Sequence, residues 1–550
     1  MPKFEKGIKT DFQSNKRSMN HTVNKPELEG DRMDLGFSVA DLEQITENGI
    51  SLENIKKQLG YLKNGIAKTN LVAPATLGNG IINFSEGDFH THALFFDANK
   101  SNLKLLKFVP ASGAATRMFK FLNAFLNDFD IENETINAYI NRNKATDLAV
   151  FIVGMDKFPF FEEVYTKLKE IHTNFNSLSR DYKNYYFIKT LLSPDYFDFA
   201  NKPKGILPFH VYWNTIATPI EEHLYECGYY SSVNGVSSLH FTVSEVHLPQ
   251  FESILNSVKH LVEKETQTNV AVDYSFQKKS TDTIAVDLEN NPFRNENGTL
   301  VFRPGGHGAL IENLNTLDAD IIFLKNIDNV ILHNNENIAL YKKALAGVLV
   351  ALQHRIFDYL NQIENGQLNE SQILEIIHFI KEKLNREMES NFDSFTLVNK
   401  IKSIKNILNR PVRVCGMVKN EGEPGGGPFW VRNEKNEVSL QIVESNQVDS
   451  SQPKQAKILQ EATHFNPVDL VCGVKNYKNE KFDLTQFVDH NSGFVVDKNV
   501  GGIAIKGLEL PGLWNGGMAH WLTIFVQVPL LTFNPVKTVN DLLKPAHQRD

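Results

Sequence analysis

Residues 103–109, Leu103-Lys104-Leu105-Leu106-Lys107-Phe108-Val109, run straight into Pro110-Ala111-Ser112-Gly113-Ala114-Ala115-Thr116-Arg117, and this stretch decides the fold. Its first seven positions form an apolar run of strand length, Pro110 and Gly113 interrupt it, and from Ala115 to about residue 129 the apolar spacing becomes helical. Strand, tight loop and helix in that order are the opening unit of a parallel α/β sheet. A loop that leads into a helix leaves backbone N–H groups without partners, and the helix dipole favours an anion there. Phosphate could rest there, with Arg117 close by. With its single glycine the loop matches neither G-x-G-x-x-G nor the G-K-[ST] ending of a P-loop. The plainer alternative is a strand-to-helix turn whose Arg117 pairs on the surface.

Outward from this unit, residues 131–200 read as helical and rich in Phe and Tyr, an insertion or lid subdomain. Residues 239–243, 249–265 and 270–276 then read as strand, amphipathic helix and strand, a βαβ unit that implies a parallel sheet. Short strands at 283–287 and 300–302 flank a polar turn, residues 320–327 form a buried strand, and 337–402 are largely helical. Strands at 412–418, 439–443, 469–473 and 522–528 mark the final third. Towards the other end, residues 1–35 read as a loose polar leader. Residues 38–67 read as one or two helices, with Ser51 as N-cap and Glu53 in the first turn. The expected division is a helical leader at 1–80, an α/β core at 81–475 with helical insertions at about 131–200 and 337–402, and an α/β extension at 476–550.

The bulk numbers exclude several classes. A chain of 550 residues with 41% hydrophobic and 22% charged residues can bury a large core and is not depleted as disordered chains are. A net charge of −8 offers no general attraction to nucleic acid. Cys227, Cys415 and Cys472 form neither a CxxC pair nor an even disulfide set, which fits a reducing compartment. Residues 1–10 are charged, and no apolar run reaches the roughly 18–20 residues that span a bilayer. A cytoplasmic protein without a membrane partner is expected.

Other segments carry chemistry beside a plainer reading. Lys204, held between Pro203 and Gly205 with Pro208 beyond, suits an anion, although a lone loop lysine is usually solvated. Glu221 and His223 follow a Thr218-Pro219 helix start and read as capping and surface residues. Arg303-Pro304-Gly305-Gly306-His307-Gly308 lets backbone approach a base or sugar closely, or is a tight turn with His307 on the surface. Asp328, just past a buried strand, is placed where open parallel sheets bind ligands. It has the oxygen chemistry for Mg²⁺, while Glu444 and Asp469 are singly ordinary loop acids. His90 and His92 have the spacing of one strand face, without a third ligand nearby, and read as structural. No G-x-S-x-G elbow supports a serine hydrolase.

The order of these segments resembles the UDP-sugar pyrophosphorylases, especially the UDP-N-acetylglucosamine pyrophosphorylases, among the GT-A nucleotidyltransferases. Gly113, Thr116, Arg117 and Met118 resemble the family's glycine-loop ending, and Pro203-Lys204-Gly205 its Pro-Lys-Gly. Phe276-Gln277 resembles its F-x-Q segment, and Pro304, Gly306, His307 and Gly308 its glycine–histidine loop. Ile327-Asp328-Asn329 is similar to its Val-Asp-Asn, Val443-Glu444 to its sugar strand, and Phe465-Asn466-Pro467-Val468-Asp469-Leu470 to its F-N-x-N-N-L. The sequence departs from the family with Ala111-Ser112 in place of a doubled glycine and with Asp469 in place of asparagine. The chain as a whole also resembles a bacterial family classed as a domain of unknown function.

The resemblance implies an α/β fold with a Rossmann-like GT-A core, a mixed and mainly parallel sheet, and helical insertions. It implies an enzyme that joins a nucleoside triphosphate, UTP favoured, to a sugar 1-phosphate or similar phosphorylated acceptor and releases pyrophosphate. Ser112, Gly113, Ala114, Thr116 and Arg117 would then hold the β- and γ-phosphates, Lys204 the charge near the α-phosphate, and Asp328 with Asp469 a Mg²⁺ ion. Gln277, Gly306, His307 and Gly308 would face the base, and Asn329, Glu444 and Asn466 the sugar. Residues 507–521, glycine- and aromatic-rich with Lys506 beside them, either cover the acceptor or form a packed hairpin. A GT-A glycosyltransferase and a non-catalytic nucleotide or nucleotide-sugar binder remain as alternative readings.

Overall fold

The computed structural model describes residues 36–213, 215–332, 335–366, 368–423 and 425–549. The leader expected over residues 1–35 lies outside the described residues.

Ten strands form the central sheet: β1 (Thr76–Leu77), β2 (Gly80–Ile82), β3 (Leu105–Pro110), β4 (Ser232–Val233), β5 (Val236–Thr242), β6 (Asn269–Ser275), β7 (Ile321–Leu324), β8 (Val412–Met417), β9 (Asp469–Gly473) and β10 (Leu522–Gln527). Their order is β1-β2-β10-β8-β9-β7-β3-β5, with β4 and β6 both on β5. Only β9, inserted between β8 and β7, and the short β4 run antiparallel to their neighbours. The sheet is thus mixed and mainly parallel. Strands β7, β8 and β9 are buried at every position, and β3 and β10 at all but their last. Strands buried along nearly their whole length belong to a sheet covered on both faces.

One face packs on α1 (Glu86–Asn99), α2 (Pro219–Tyr230) and the thirty-residue α4 (Asn335–Glu364), and α3 (Leu248–Thr266) joins β5 to β6. Phe96, Phe323, Leu345, Leu349, Val414 and Ile524 knit that face together. At the crossing of α1 and α4 the backbones nearly touch, because a Cβ on Gly347 would lie 1.9 Å from the His92 carbonyl oxygen. On the other face Phe108, Ile322, Cys415, Cys472, Phe525 and Trp521 form a second core.

The Phe- and Tyr-rich stretch is helical as expected, with helices at Ile136–Asn143, Thr146–Val153, Phe161–Ile171 and Arg180–Leu192. Its core of Phe119, Phe125, Phe151 and Phe187 also takes in Val536, Val539 and Leu542 from the end of the chain. The second helical region is confirmed by α4 with Glu370–Leu384 and Leu397–Leu408. Residues 38–67 form two helices, Val39–Glu47 and Leu52–Asn64, and the Ser51 hydroxyl caps the second by accepting from the Asn54 amide. Strand β10, from the segment 476–550, lies inside the central sheet between β2 and β8.

Some local expectations change. His90 and His92 stand on α1, because Ser85 and Asp88 form a capping box that starts a helix. At that spacing the two rings point to different sides, and His92 stacks on Phe84. Glu221 and His223 are not surface residues: α2 is buried on nearly all sides, leaving them 8% and 0% exposed. The helix after the 111–117 loop begins as a 3-10 turn, Ala115–Arg117, and becomes α-helical only at Lys120–Asp128. Among the described residues no helix is long and apolar enough to cross a membrane.

Candidate functional site

The carboxyl ends of β3, β5, β6 and β7 open on one edge, where open α/β sheets place their ligands. The 111–117 loop is anchored there at both ends. The Ala111 amide donates to the Thr242 carbonyl at 2.9 Å, the Ala115 amide to the Lys202 carbonyl at 2.9 Å, and the Thr116 hydroxyl to the Ala200 carbonyl at 3.2 Å. Between the anchors, the amides of Ser112, Gly113 and Ala114 donate to nothing among the described residues. Gly113 faces open space and Arg117 is exposed. Three free consecutive amides beside an unpaired guanidinium have the make-up of an anion cradle.

Ala114 forms a β-bridge with Pro203, which places Lys204 directly beside this loop. Gly205 lets the chain settle onto the sheet edge, since a Cβ there would meet the Phe251 ring at 3.1 Å and Ile327 at 3.3 Å. Ile327 precedes Asp328, so Lys204 and Asp328 meet: Lys204 Nζ donates to Asp328 Oδ2 and to the Val536 carbonyl, each at 2.7 Å. Lys537 Nζ reaches the same carboxylate oxygen at 3.3 Å. Burial pushes the Asp328 carboxyl up, but Lys204 and then Lys537 outweigh it and hold it at about 2.

Lys537 belongs to a C-terminal strap, residues 530–549, that crosses this edge. The Val536 amide donates to the Asp328 carbonyl at 3.0 Å, and the Val539 amide to the Met118 carbonyl at 3.0 Å. Asn329, expected at the sugar, has its side chain engaged with the strap: it donates to the Thr532 carbonyl at 3.1 Å and accepts from the Asn534 amide at 2.8 Å. Further along, the strap's His547 meets His210 at 2.8 Å, and Glu222 holds the other face of His210 at 2.7 Å.

Beneath the edge lies a buried set of charges. Lys107 and Lys325 donate to opposite oxygens of Glu226 at 2.8 and 2.5 Å, and Lys342 donates to Asp469 at 2.6 Å. All five are under a tenth exposed. Burial alone would raise the Glu226 carboxyl, yet Lys107 and Lys325 hold it well below its ordinary value, whereas burial draws Lys107 down to about 8. The neighbouring His223 is kept neutral, chiefly by burial and then by Lys107. These partners were missed from the sequence, although a lysine inside an otherwise apolar run, such as Lys107 in residues 103–109 or Lys325 in 320–327, is the signal for one.

Asp328 and Asp469, the pair expected to hold Mg²⁺, do not fit that ion as they stand. Each carboxylate is closed by ammonium groups, and among the described residues no group of three or more His, Cys, Asp or Glu side chains is placed to hold a metal.

The remaining residues fall into a second group. Glu444 and Asn466 come together, with Asn466 Nδ2 donating to Glu444 Oε1 at 2.9 Å while the buried Asn466 Oδ1 has no partner among the described residues. His307 is exposed, as a turn with the histidine on the surface requires, and its ring stacks on Trp514 at 4.7 Å while its Nδ1 accepts from the Leu513 amide. The glycines around it admit the crossing chain, because a Cβ on Gly308 would lie 2.2 Å from the Pro511 carbonyl oxygen, and Gly306 has φ +76°. Asn515, donating to the Ile442 carbonyl at 3.2 Å, links this corner towards Glu444. Gln277 is half-buried just past β6, without a side-chain partner among the described residues, beside Asn313, which donates to the Phe276 carbonyl. Lys506 lies in the hairpin of Phe494–Val500 and Ile503–Glu509, bonded to Leu288 and Asn290.

The chain belongs to the family described as Domain of unknown function (DUF4301), which matches residues 38–548. No curated protein matches its sequence. Among solved structures it is similar to UDP-glucose pyrophosphorylase variants from Leishmania major. One, in complex with UDP-glucose, is 11% identical with a TM-score of 0.41, and another is 11% identical with a TM-score of 0.42; each match covers 92% of this chain and 77% of the other.

Proposed function

We propose that this DUF4301 member is a nucleotidyltransferase that joins a nucleoside triphosphate, UTP favoured, to a sugar 1-phosphate or similar phosphorylated acceptor. One observation supports the reading: residues 112–117, Lys204 and Asp328, separated by more than two hundred positions, meet at one sheet edge. In the proposed reaction an acceptor phosphate oxygen attacks the α-phosphorus, the bond from that phosphorus to the bridging oxygen breaks, and pyrophosphate leaves with the bond electrons. Such a transfer needs orientation and charge neutralisation more than covalent help.

The amides of Ser112, Gly113 and Ala114, with Thr116 and Arg117, would hold the leaving pyrophosphate, and Lys204 the developing charge near the α-phosphorus. Gln277 and the Gly306-His307-Gly308 turn would face the base, and Glu444 with Asn466 a sugar hydroxyl. Asn329 serves the acceptor side only indirectly, by fixing the strap.

A pyrophosphate-release screen of the purified chain with the common nucleoside triphosphates and a panel of sugar 1-phosphates tests this. Pyrophosphate release that depends on both substrates is expected, and Arg117→Ala should cost about 2–4 kcal/mol of transition-state stabilisation. Release of nucleoside diphosphate from a nucleotide sugar would instead identify a glycosyltransferase. Tight binding without turnover across the panel would identify a binder.

A further inference from the structure

The lysines seated on Asp328 and Asp469 carry an inference that rests on the phosphate-binding reading above. Around Asp328 one carboxylate faces two ammonium groups, Lys204 and Lys537, and the loop bearing Arg117 adjoins them. Beneath, the carboxylates paired with Lys107, Lys325 and Lys342 are, among the described residues, Glu226 and Asp469, with His223 neutral. Each set has one more positive group than negative. Such an excess disfavours a divalent cation and favours an anion, with the least screening at the buried lower set.

The two lysines on Asp328 are held differently. Lys204 is 14% exposed and has a second hold on the Val536 carbonyl. Lys537 is 56% exposed, makes the longer 3.3 Å contact, and has no other side-chain partner among the described residues. Its backbone is nevertheless fixed, by the Val536 amide on the Asp328 carbonyl and by its own amide on Asp541 Oδ2 at 2.9 Å. It is an ammonium delivered to the edge on an anchored segment and free to turn from Asp328 to a ligand.

We infer that this edge neutralises a bound polyphosphate with Lys204 and Lys537 in place of a divalent metal ion, which makes Lys537 a phosphate-binding residue. Asp328 then stores and positions the lysine pair and competes with the incoming anion for it.

Titration calorimetry of the full chain with inorganic pyrophosphate and with UTP, in EDTA and in excess Mg²⁺, tests the inference. Binding in EDTA is expected. Lys537→Ala should weaken it about tenfold or more, the loss of one charge-assisted contact. Asp328→Asn should tighten it several-fold, and Lys544→Ala, which removes another exposed strap lysine, should leave it unchanged. The melting temperature of each variant reports whether the fold is kept. Binding that appears only with Mg²⁺ and vanishes in Asp328→Asn would overturn the inference and leave the nucleotidyltransferase reading standing. Absence of binding in both conditions would remove both.

Discussion

Replacing Glu226 with glutamine strips two buried lysines of their counter-charge while keeping the shape of the side chain. Glu226 is 1% exposed, and its two oxygens accept from Lys107 and Lys325, themselves 0% and 3% exposed. Breaking a buried ion pair from one side typically costs about 3–5 kcal/mol. The cost has a ceiling, because a lysine left unpaired can shed its proton. At about 1.36 kcal/mol per pH unit below a reference of about 10.4, that ceiling is roughly 4.6 kcal/mol per lysine at pH 7 and roughly 1.9 kcal/mol at pH 9.

The sign follows from Lys107, whose folded value of about 8 already lies below its unfolded one. Its ammonium is therefore disfavoured by folding, and the protein gains stability as pH rises from about 8 towards about 10.4. Glu226→Gln extends that window downward. The variant should melt several degrees below the parent near pH 7, with the gap closing by more than half near pH 9. Adding Lys107→Met should recover part of the loss at neutral pH. Scanning fluorimetry and circular dichroism across that range read both effects. A deficit that does not change with pH, or a double variant no better than the single one, would refute the account of this cluster as a charge-balanced network.

Gly347→Ala places a methyl group 1.9 Å from the His92 carbonyl and must separate α1 from α4. Overpacking of this kind costs about 1–3 kcal/mol, and an unchanged melting temperature would show that the helices yield freely. Burial and the neighbouring His210 lower His547 to about 3, so its contribution to stability is intact above about pH 6.5 and is lost as pH falls. Near pH 5 the loss is about 2 kcal/mol, and limited proteolysis should then cut the C-terminal strap that resists at pH 7.5; equal resistance at both values would count against this. Cys227, Cys415 and Cys472 are fully buried, and burial raises each thiol. None should react with a thiol reagent until the chain is unfolded, and rapid native labelling of any one would contradict the packing.

The α/β class and the sheet strands at 105–110, 236–242, 269–275 and 321–324 were legible in residues 103–129, 239–276 and 320–327, because period and local capping are written in neighbouring side chains. The loop with Arg117, the Pro-Lys-Gly turn and Asp328 could each be picked out, and their order suggested that they belong together. Their partners could not. His90 and His92 imitate a strand face over three residues, and only the Ser85–Asp88 cap makes the segment helical.

Sequence alone therefore determined which segments would be strand or helix and which loops had the chemistry to meet an anion. Tertiary structure decided that a strand from the last thirty residues fills the middle of the sheet, that lysines close both acidic positions, and that the strap brings Lys537 onto Asp328. Local pattern records the side chain's own preference for burial or exposure. Which opposite charge it meets depends on chain segments hundreds of positions away, and the high cost of an unpaired buried charge acts only once folding has brought those segments together.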